Sequence, residues 1–204
     1  MVSPNPRDVF VNCPFDAAYK PTFNAIVFTV VRCGFRVRCA LEADDAAENR
    51  FGKICRIIDS SRYGVHDISR TEADGDPPLP RFNMPLEVGL FLGAKRFGGR
   101  RQSEKKCIIF DRERYRYQRF MSDIAGQDIH AHGGDIATLI GELTAWLRNE
   151  SGLRNIPGGV RIAAEFEIFG SALPEIYRAR NLSSEEVTFA DYNDIVVQYL
   201  TASE

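Results

Sequence analysis

Short apolar runs alternate with stretches of helical periodicity over the first 150 residues of the chain. Runs rich in β-branched and aromatic residues predict strands at 8–13, 35–41, 63–68, 106–110 and 128–131. Apolar residues spaced three and four positions apart predict helices at 16–33, 47–58, 86–97, 115–124 and 135–149. The start signal of the second helix is Asp44-Asp45, and that of the third is Asn83-Met84-Pro85. A polar, proline-rich loop, 69–81, separates the third strand from the third helix.

This alternation predicts a mostly parallel sheet with helices on both faces. Five strands within about 140 residues favour the flavodoxin-like order 2-1-3-4-5 over a barrel. From Ser151 onward only helical stripes remain, at 160–169 and 189–200. We therefore expect an α/β domain over residues 1–150 and a small helical C-terminal extension over 151–204.

Composition narrows the class of protein. The 204 residues are 44% apolar and 26% charged, which suits a folded core and excludes intrinsic disorder. The net charge of −2 gives no general attraction to nucleic acid or anionic lipid. There is no apolar run long enough to span a membrane and no signal peptide, so we expect a soluble, cytoplasmic protein.

The cysteines argue against disulfides and zinc. They are odd in number, scattered and never spaced as C-x-x-C, at positions 13, 33, 39, 55 and 107. His130 and His132 alternate on a predicted strand, but no third ligand accompanies them. We therefore expect no metal site, and we read His66 as a hydrogen-bonded strand histidine.

Ligands of such a sheet bind beyond the carboxyl ends of the strands where the order reverses, here between strands 1 and 3. Two unusual loops meet there, 12–16 after strand 1 and 67–87 after strand 3. Asn12 and Asp16 are suited either to bind ligand hydroxyls or to satisfy a tight turn and cap helix 1, and for Asp16 we favour the capping role. The rings of Phe15 and Phe82 could form the walls of a site for an aromatic base, or they could belong to the core.

Glu87 carries the sharpest hypothesis. At the start of the third helix its carboxylate could hold ribose hydroxyls or stabilise positive charge at an anomeric carbon. The alternative is a favourable interaction with the helix dipole. Gly89 and Gly93 would allow another backbone or a ligand to approach this helix face closely. Asp67 ends strand 3, where it either points into the crevice or caps the following turn.

Basic residues suggest phosphate recognition or a solvated surface. Residues 95–119 hold ten basic residues against three acidic ones, and Arg70 and Arg81 lie nearer the predicted crevice. Arginine forks suit a pyrophosphate. The chain contains no G-x-G-x-x-G, Walker A or G-x-S-x-G sequence, which argues against a Rossmann redox enzyme, a P-loop ATPase and a serine hydrolase.

Two segments resemble known families. Strand 1 with its loop resembles the opening strand and Pro-Phe loop of nucleoside 2-deoxyribosyltransferases, in residues Asn12, Cys13, Pro14, Phe15 and Asp16. Asp8-Val-Phe-Val is similar to the first strand of TIR domains. Segment 83–94, Asn-Met-Pro-Leu-Glu-Val-Gly-Leu-Phe-Leu-Gly-Ala, looks like the deoxyribosyltransferase helix whose Glu-x-Gly-x-Ala run supplies the nucleophile. It also matches, in position, the TIR helix that carries the NAD-cleaving glutamate.

The resemblance covers about residues 7–149 and has departures. The deoxyribosyltransferase helix has Gly-Tyr-Ala after its glutamate, where this chain reads Gly-Leu-Phe-Leu-Gly-Ala from Gly89. The acidic pair expected before that helix is replaced by a long loop with Asp74 and Asp76. TIR domains would show a serine where Asn83 and Met84 stand. The pattern is that of a divergent TIR-like or deoxyribosyltransferase-like protein.

The resemblance implies Glu87 as the catalytic carboxylate and Asp67 as a second acid near the sugar. It also implies that residues 12–15 form the ribose and base-side wall. We expect the remaining substrate contacts from Asp16, Arg70, Phe82, Asn83 and Met84. The implied reaction is hydrolysis of NAD⁺ with release of nicotinamide, NAD⁺ being a substrate and no cofactor being required. Bacterial TIR-like proteins of this kind often act as antiphage effectors.

Two alternatives stay open. One is a nucleoside or nucleotide 2-deoxyribosyltransferase with Glu87 as a covalent nucleophile. The other is a non-catalytic module that binds a nucleotide signal or assembles into homo-oligomers. The sequence leaves open the base, the oligomeric state, the need for a trigger and the role of residues 151–204.

Overall fold

The computed structural model describes residues 4–42, 45, 47–74 and 79–202. The strands are β1 (Asn5–Asn12), β2 (Arg36–Arg38), β3 (Ser61–Asp67), β4 (Ala73–Asp74), β5 (Leu79–Pro80), β6 (Lys106–Asp111) and β7 (Ile129–Ala131). The helices are α1 (Lys20–Arg32), α2 (Arg50–Ser60), α3 (Asn83–Phe97), α4 (Ile136–Ser151), α5 (Gly159–Ala179) and α6 (Phe189–Ala202). None of these described helices has the length and apolarity needed to cross a membrane.

Five strands form one parallel sheet, which confirms the predicted α/β class and is consistent with the flavodoxin-like fold. In chain numbering the order is β2-β1-β3-β6-β7 rather than 2-1-3-4-5, because β4 and β5 intervene after β3. These two short strands pair antiparallel with each other within the loop that the sequence predicted as irregular. The chain passes from β1 to β2 on one side and to β3 on the other, so the order reverses at β1.

Helices cover both faces of the sheet, and successive residues of β1 show which helices lie where. Val9 and Val11 belong to the apolar cluster that includes α1 and α4, whereas Phe10 packs with residues of α2 and α3. Since successive side chains of a strand point to opposite faces, α1 and α4 cover one face, and α2 and α3 cover the other. Burial on both sides explains why β1 reads as a continuous apolar run.

Side-chain caps fix where two of the helices begin. Asn49 accepts a hydrogen bond from the Gly52 backbone N–H (2.7 Å) and starts α2. Asp135 accepts one from the Thr138 backbone N–H (2.7 Å) and starts α4. The start predicted at Asp44-Asp45 is therefore too early, and Asp44 lies outside the described residues. Each cap pairs a backbone donor that the first helical turn leaves unpaired.

The prediction of one continuous helix over 115–124 is wrong. Tyr115 has a φ of 63°, in the left-handed region, which a residue within a right-handed helix cannot adopt. Two short 3₁₀ helices follow instead, Arg116–Arg119 and Ser122–Ile124. Tyr117 is buried and packs in a small cluster beneath α3, so tertiary packing determines this segment.

The C-terminal extension shares the core of the α/β part. Phe169 of α5 and Tyr192 of α6 are buried in the same cluster as α1. The ring of Phe169 stacks on that of Phe28 at 5.1 Å, and the Tyr192 hydroxyl donates to the Asn24 carbonyl at 3.2 Å. Fully burying a side chain such as Phe stabilises a fold by about 1.5–3 kcal/mol. Helices α5 and α6 therefore form a second layer over α1 and α4.

Candidate functional site

The carboxyl ends of β1 and β3 place Asn12 beside His66, as paired positions of the two strands. Both side chains are buried. The Asn12 side-chain amide donates to the Met84 carbonyl at 2.9 Å, and its nitrogen lies 3.1 Å from Nδ1 of His66. Burial lowers the pKa of His66 to about 3, so the ring is neutral. Asn12 thereby ties the end of β1 to the first turn of α3.

Glu87 occupies a position of α3 where an apolar residue is expected. The buried stripe of this helix contains Met84, Val88 and Phe91 together with Glu87, at the spacing of one helix face. Met84, whose carbonyl accepts from Asn12, is one turn before Glu87 on that face.

The environment of Glu87 disfavours its charge. The residue is 7% exposed, and among the described residues its carboxylate has no hydrogen bond or ion pair. Burial raises the pKa of Glu87 to about 7, and the charge of Arg50 at the start of α2 offsets part of that effect. A carboxyl group that titrates near neutral pH at a ligand crevice is a candidate for chemistry.

Asp67 is surrounded quite differently. It is fully buried, and its strand position directs it to the α1 face of the sheet. The Tyr19 hydroxyl donates to Oδ2 at 2.5 Å, and the Ser69 backbone N–H donates to Oδ1 at 2.7 Å. His132 Nε2 lies 3.2 Å from Oδ2, an electrostatic contact rather than an aligned hydrogen bond. Every described contact of Asp67 is internal, so a sugar hydroxyl would have to displace Tyr19 to reach it.

Cys13 lies in the electrostatic neighbourhood of both carboxylates. Its pKa is raised well above the usual value, first by burial and then by Asp67, Cys39, Glu87 and Asp16. The thiol is therefore protonated and a poor nucleophile. Pro14 beside it is also buried. Both residues line the inside of the site rather than its open surface.

Asp16, in the loop after β1, forms ion pairs with two arginines. Its Oδ1 lies 2.9 Å from Arg70 Nη1, and its Oδ2 lies 3.1 Å from Arg81 Nη1. Oδ1 also accepts from the Tyr19 backbone N–H at 3.1 Å, so Asp16 caps the turn that leads into α1. Helix α1 itself begins at Lys20, with Tyr19 as the N-cap residue and no side-chain cap, so Asp16 satisfies the preceding turn but does not cap the helix as predicted. Both guanidinium groups remain partly exposed.

The other predicted contacts spread over the rim. Phe15 packs edge-to-face on Phe23, with ring centroids 5.2 Å apart. Phe82 is 60% exposed and Asn83 is exposed, both at the start of α3. The Met84 carbonyl accepts a hydrogen bond from Asn12, and the Met84 side chain packs in the core. A base held between Phe15 and Phe82 stays a prediction.

The glycines after Glu87 face open space. A Cβ built on Gly89 or Gly93 would meet nothing within 4 Å. Within the described residues, therefore, no other part of the chain makes the close approach that the sequence suggested. The face is open to a ligand or a partner.

The basic segment 95–119 is not simply a solvated surface. Lys105 is almost fully buried, where it donates to the carbonyls of Ile58 and Ser61 at the end of α2. Arg116 donates to Asp111 Oδ1 and to the Ile68 carbonyl, both at 2.7 Å. Both cations hold loops in place and are not free for a phosphate.

Sequence reasoning missed Tyr19 and named no partner for His132, which lies beside Asp67. Tyr19 ends the turn before α1, and only the folded sheet brings it to Asp67, 48 residues away. His130 and His132 diverge, since His130 Nδ1 lies 2.9 Å from Glu142 Oε2. Across the described ranges, no group of three or more potential ligands could hold a metal ion. His66 is only half paired, because its Nε2 has no hydrogen-bond partner.

The fold and this geometry define an α/β protein with a parallel five-stranded sheet and a buried carboxyl group on α3, the helix that follows the central strand β3. No protein-family model matches the chain, and neither a curated protein nor a solved structure does.

Proposed function

We propose that the protein cleaves the N-glycosidic bond of a nucleotide, with NAD⁺ as the leading substrate and Glu87 as the catalytic carboxylate. One observation carries the proposal: Glu87 is only 7% exposed, its carboxyl group has no hydrogen bond or ion pair among the described residues, and it follows β3 next to the reversal of strand order, where sheets of this kind bind ligands. A polar group buried without a partner destabilises a fold. A cationic or hydroxyl-bearing ligand would supply the missing partner.

The chemistry of NAD⁺ fits such a group. The bond to be broken joins C1′ of a ribose to a positively charged pyridinium nitrogen. Both bonding electrons leave with the nitrogen, so nicotinamide departs as a neutral molecule and needs no proton. Positive charge develops at C1′, and the ionised Glu87 carboxylate stabilises it. Water then forms the new bond to C1′ and releases a proton, giving nicotinamide, ADP-ribose and H⁺.

The raised pKa of Glu87 supports this use. A pKa of about 7 leaves the carboxyl group partly protonated in the free protein at neutral pH. A cation placed beside it favours the ionised form. Binding of the pyridinium ribose would thus itself generate the charge that the reaction needs.

Arg70 and Arg81 are the candidates for holding the pyrophosphate. Both guanidinium groups are partly exposed at the crevice mouth, and both already bind a carboxylate, that of Asp16. Arginine binds carboxylate and phosphate oxygens with the same planar donor geometry. The bound dinucleotide would then run from Glu87 toward Asp16.

The decisive experiment compares three proteins. Wild type, Glu87→Gln and Glu175→Gln are incubated with NAD⁺, NADP⁺ and a panel of nucleosides and deoxynucleosides, and products are resolved by mass-resolved chromatography. Glu175 is an exposed residue of α5 and provides the matched control. We expect wild type and Glu175→Gln to release nicotinamide at equal rates. Glu87→Gln should be slower by about 10²–10³-fold, as when one preorganised electrostatic group is removed.

The other outcomes discriminate the alternatives. If a 2-fluoro nucleoside analogue leaves its sugar trapped on Glu87, the reaction is a transfer through a covalent intermediate and not direct hydrolysis. Full activity of a folded Glu87→Gln protein would contradict the proposed mechanism. Nucleotide binding without any turnover, even under conditions that promote assembly, would indicate a binding module.

A further inference from the structure

A pocket of about 200 Å³ adjoins the candidate site on the α1 face of the sheet. It lies between the start of α1 and the start of α6. Its apolar walls are Phe15, Phe23, Leu41 and Phe189. Asp16 and Asn24 are among the polar residues at its boundary.

The walls of the pocket suit a flat aromatic ligand. Phe23 contacts Phe15 at 5.2 Å, with the rings nearly perpendicular, and Phe189 at 5.9 Å, with the rings tilted by 41°. Aromatic and apolar side chains with a few polar groups are the usual lining of heterocycle sites. A dry cavity of about 150 Å³ holds benzene in an engineered protein. The present pocket is larger, partly polar and open to solvent, and so suits a bicyclic base.

Two residues of the candidate site, Phe15 and Asp16, also line the pocket. Phe15 packs against the apolar clusters of both sheet faces, so it lies between the pocket and the α3 side. The Asp16 carboxylate lines the pocket and binds Arg70 and Arg81. Two guanidinium groups therefore lie at the pocket rim, where a pyrophosphate that joins two nucleosides would pass.

The C-terminal extension supplies one wall of the pocket, and hydrogen bonds fix the position of that wall. Thr188 starts α6 by exchanging hydrogen bonds with Asp191, at 2.6 Å through its hydroxyl and 3.0 Å through its backbone N–H. Tyr192 is bonded to the Asn24 carbonyl of α1, and Lys20 Nζ donates to the Ser184 carbonyl at 3.1 Å. The start of α6 is thus tied to α1 on both sides of the pocket.

We propose that this pocket holds the second base of a dinucleotide whose scissile bond lies at Glu87. Residues of α6 that line the pocket would then favour a dinucleotide substrate over nicotinamide mononucleotide, which lacks the second base. The assignment of the scissile end rests on the proposed function, whereas occupation of the pocket by a base can be tested without turnover.

The binding test uses AMP and ADP-ribose as probes, with isothermal titration calorimetry on the full chain. Val187→Trp fills the pocket from the segment before α6, and Leu41→Trp fills it from the loop after β2. Val160→Trp, at a 90% exposed position of α5, is the matched control. We expect both filling variants to weaken AMP and ADP-ribose binding about tenfold or more, as when one base loses its stacking partners. The control should bind like wild type.

The kinetic test separates this proposal from the preceding one. Filling the pocket should raise KM for NAD⁺ about tenfold or more and leave the cleavage of nicotinamide mononucleotide, which lacks the second base, unchanged. Equal NAD⁺ kinetics and equal AMP affinity in the folded filling variants would overturn the pocket assignment and leave Glu87 untouched. Loss of AMP binding in the filling variants of a protein that cleaves nothing would support the pocket and overturn cleavage. Circular dichroism establishes that each variant is folded.

Discussion

Asp67 and Glu87 are two buried carboxylic acids at one edge of one sheet, yet their surroundings are opposite. Asp67 accepts hydrogen bonds from the Tyr19 hydroxyl and the Ser69 backbone N–H, with His132 close by. Glu87 stands in the apolar stripe of α3 with no partner among the described residues. A carboxylate whose acceptor sites are filled internally stabilises the fold. One whose sites are empty is available to a ligand, and that difference separates a structural acid from a candidate catalytic one.

The largest expected effect is on the pH dependence of activity. If the ionised form of Glu87 stabilises positive charge, cleavage should fall about tenfold per pH unit below the pKa of about 7 and level off above it. Steady-state NAD⁺ cleavage between pH 5 and 9 measures this profile. The residual activity of Glu87→Gln should lack the acidic limb. A rate that falls as pH rises through 7 would instead make Glu87 a proton donor.

The second effect is on stability. The pKa of Glu87 is about 7 in the folded protein against an ordinary value of 4.5, so the folded state holds this proton more tightly than the unfolded state. The stability that the protonated group contributes is complete below pH 4.5 and is lost as pH rises through 7. The difference of about 2.5 corresponds to at most about 3 kcal/mol.

Glu87→Gln should therefore raise the free energy of unfolding at pH 8 by up to about 3 kcal/mol and change it little at pH 4.5. Urea titrations at the two pH values measure the difference. Equal effects at both would show that the charge of Glu87 costs the fold nothing.

The same kind of substitution at Asp67 should have the opposite sign. Asp67→Asn replaces an acceptor oxygen by an amide group and leaves one internal donor without its partner, at a cost of about 2 kcal/mol. Urea titration at pH 8 measures it, and Asp128→Asn, at an exposed position, should be neutral. A folded Asp67→Asn protein as stable as wild type would remove the distinction between the two acids.

The smallest expected effect tests whether the exposed face of α3 at Gly89 is open. Gly89→Ala places a methyl group where nothing lies within 4 Å and should stabilise α3 by about 0.5–1 kcal/mol. Gly64→Ala on β3 is the contrasting variant, since its methyl group would lie 2.7 Å from His66 Nε2 and 2.9 Å from the Phe91 ring. Thermal unfolding should show a higher Tm for the first and a lower Tm for the second. Destabilisation by Gly89→Ala would mean that the face is not open.

The strands of the sheet and its main helices were predictable because their apolar spacing is local and strong. The β4–β5 ribbon was not predictable because each strand has only two residues, too few to show a period. The two 3₁₀ helices were not predictable because packing against other elements determines that segment. The switch-point rule placed Glu87 and Asn12 near each other from topology alone, and the Asn12–Met84 hydrogen bond agrees with it. The rule could not foresee that Tyr19 would pair with Asp67, because this contact joins residues far apart in the chain. The catalytic roles of Glu87 and Asp67 stay predictions.

The position of α6 also has a consequence for biosynthesis. Phe169 packs against Phe28 on one side and against Tyr192 and Tyr199 of α6 on the other. A nascent chain in which residues 189–202 have not yet been made cannot cover this surface, although every strand of the sheet has already been translated. The α1 side therefore stays exposed until residues 189–202 have been made, and the pocket beside Asp16 lacks its Phe189 wall for the same interval. A ribosome-stalled fragment that ends before α6 should need a chaperone to stay in solution, whereas a chain that includes α6 covers this face itself.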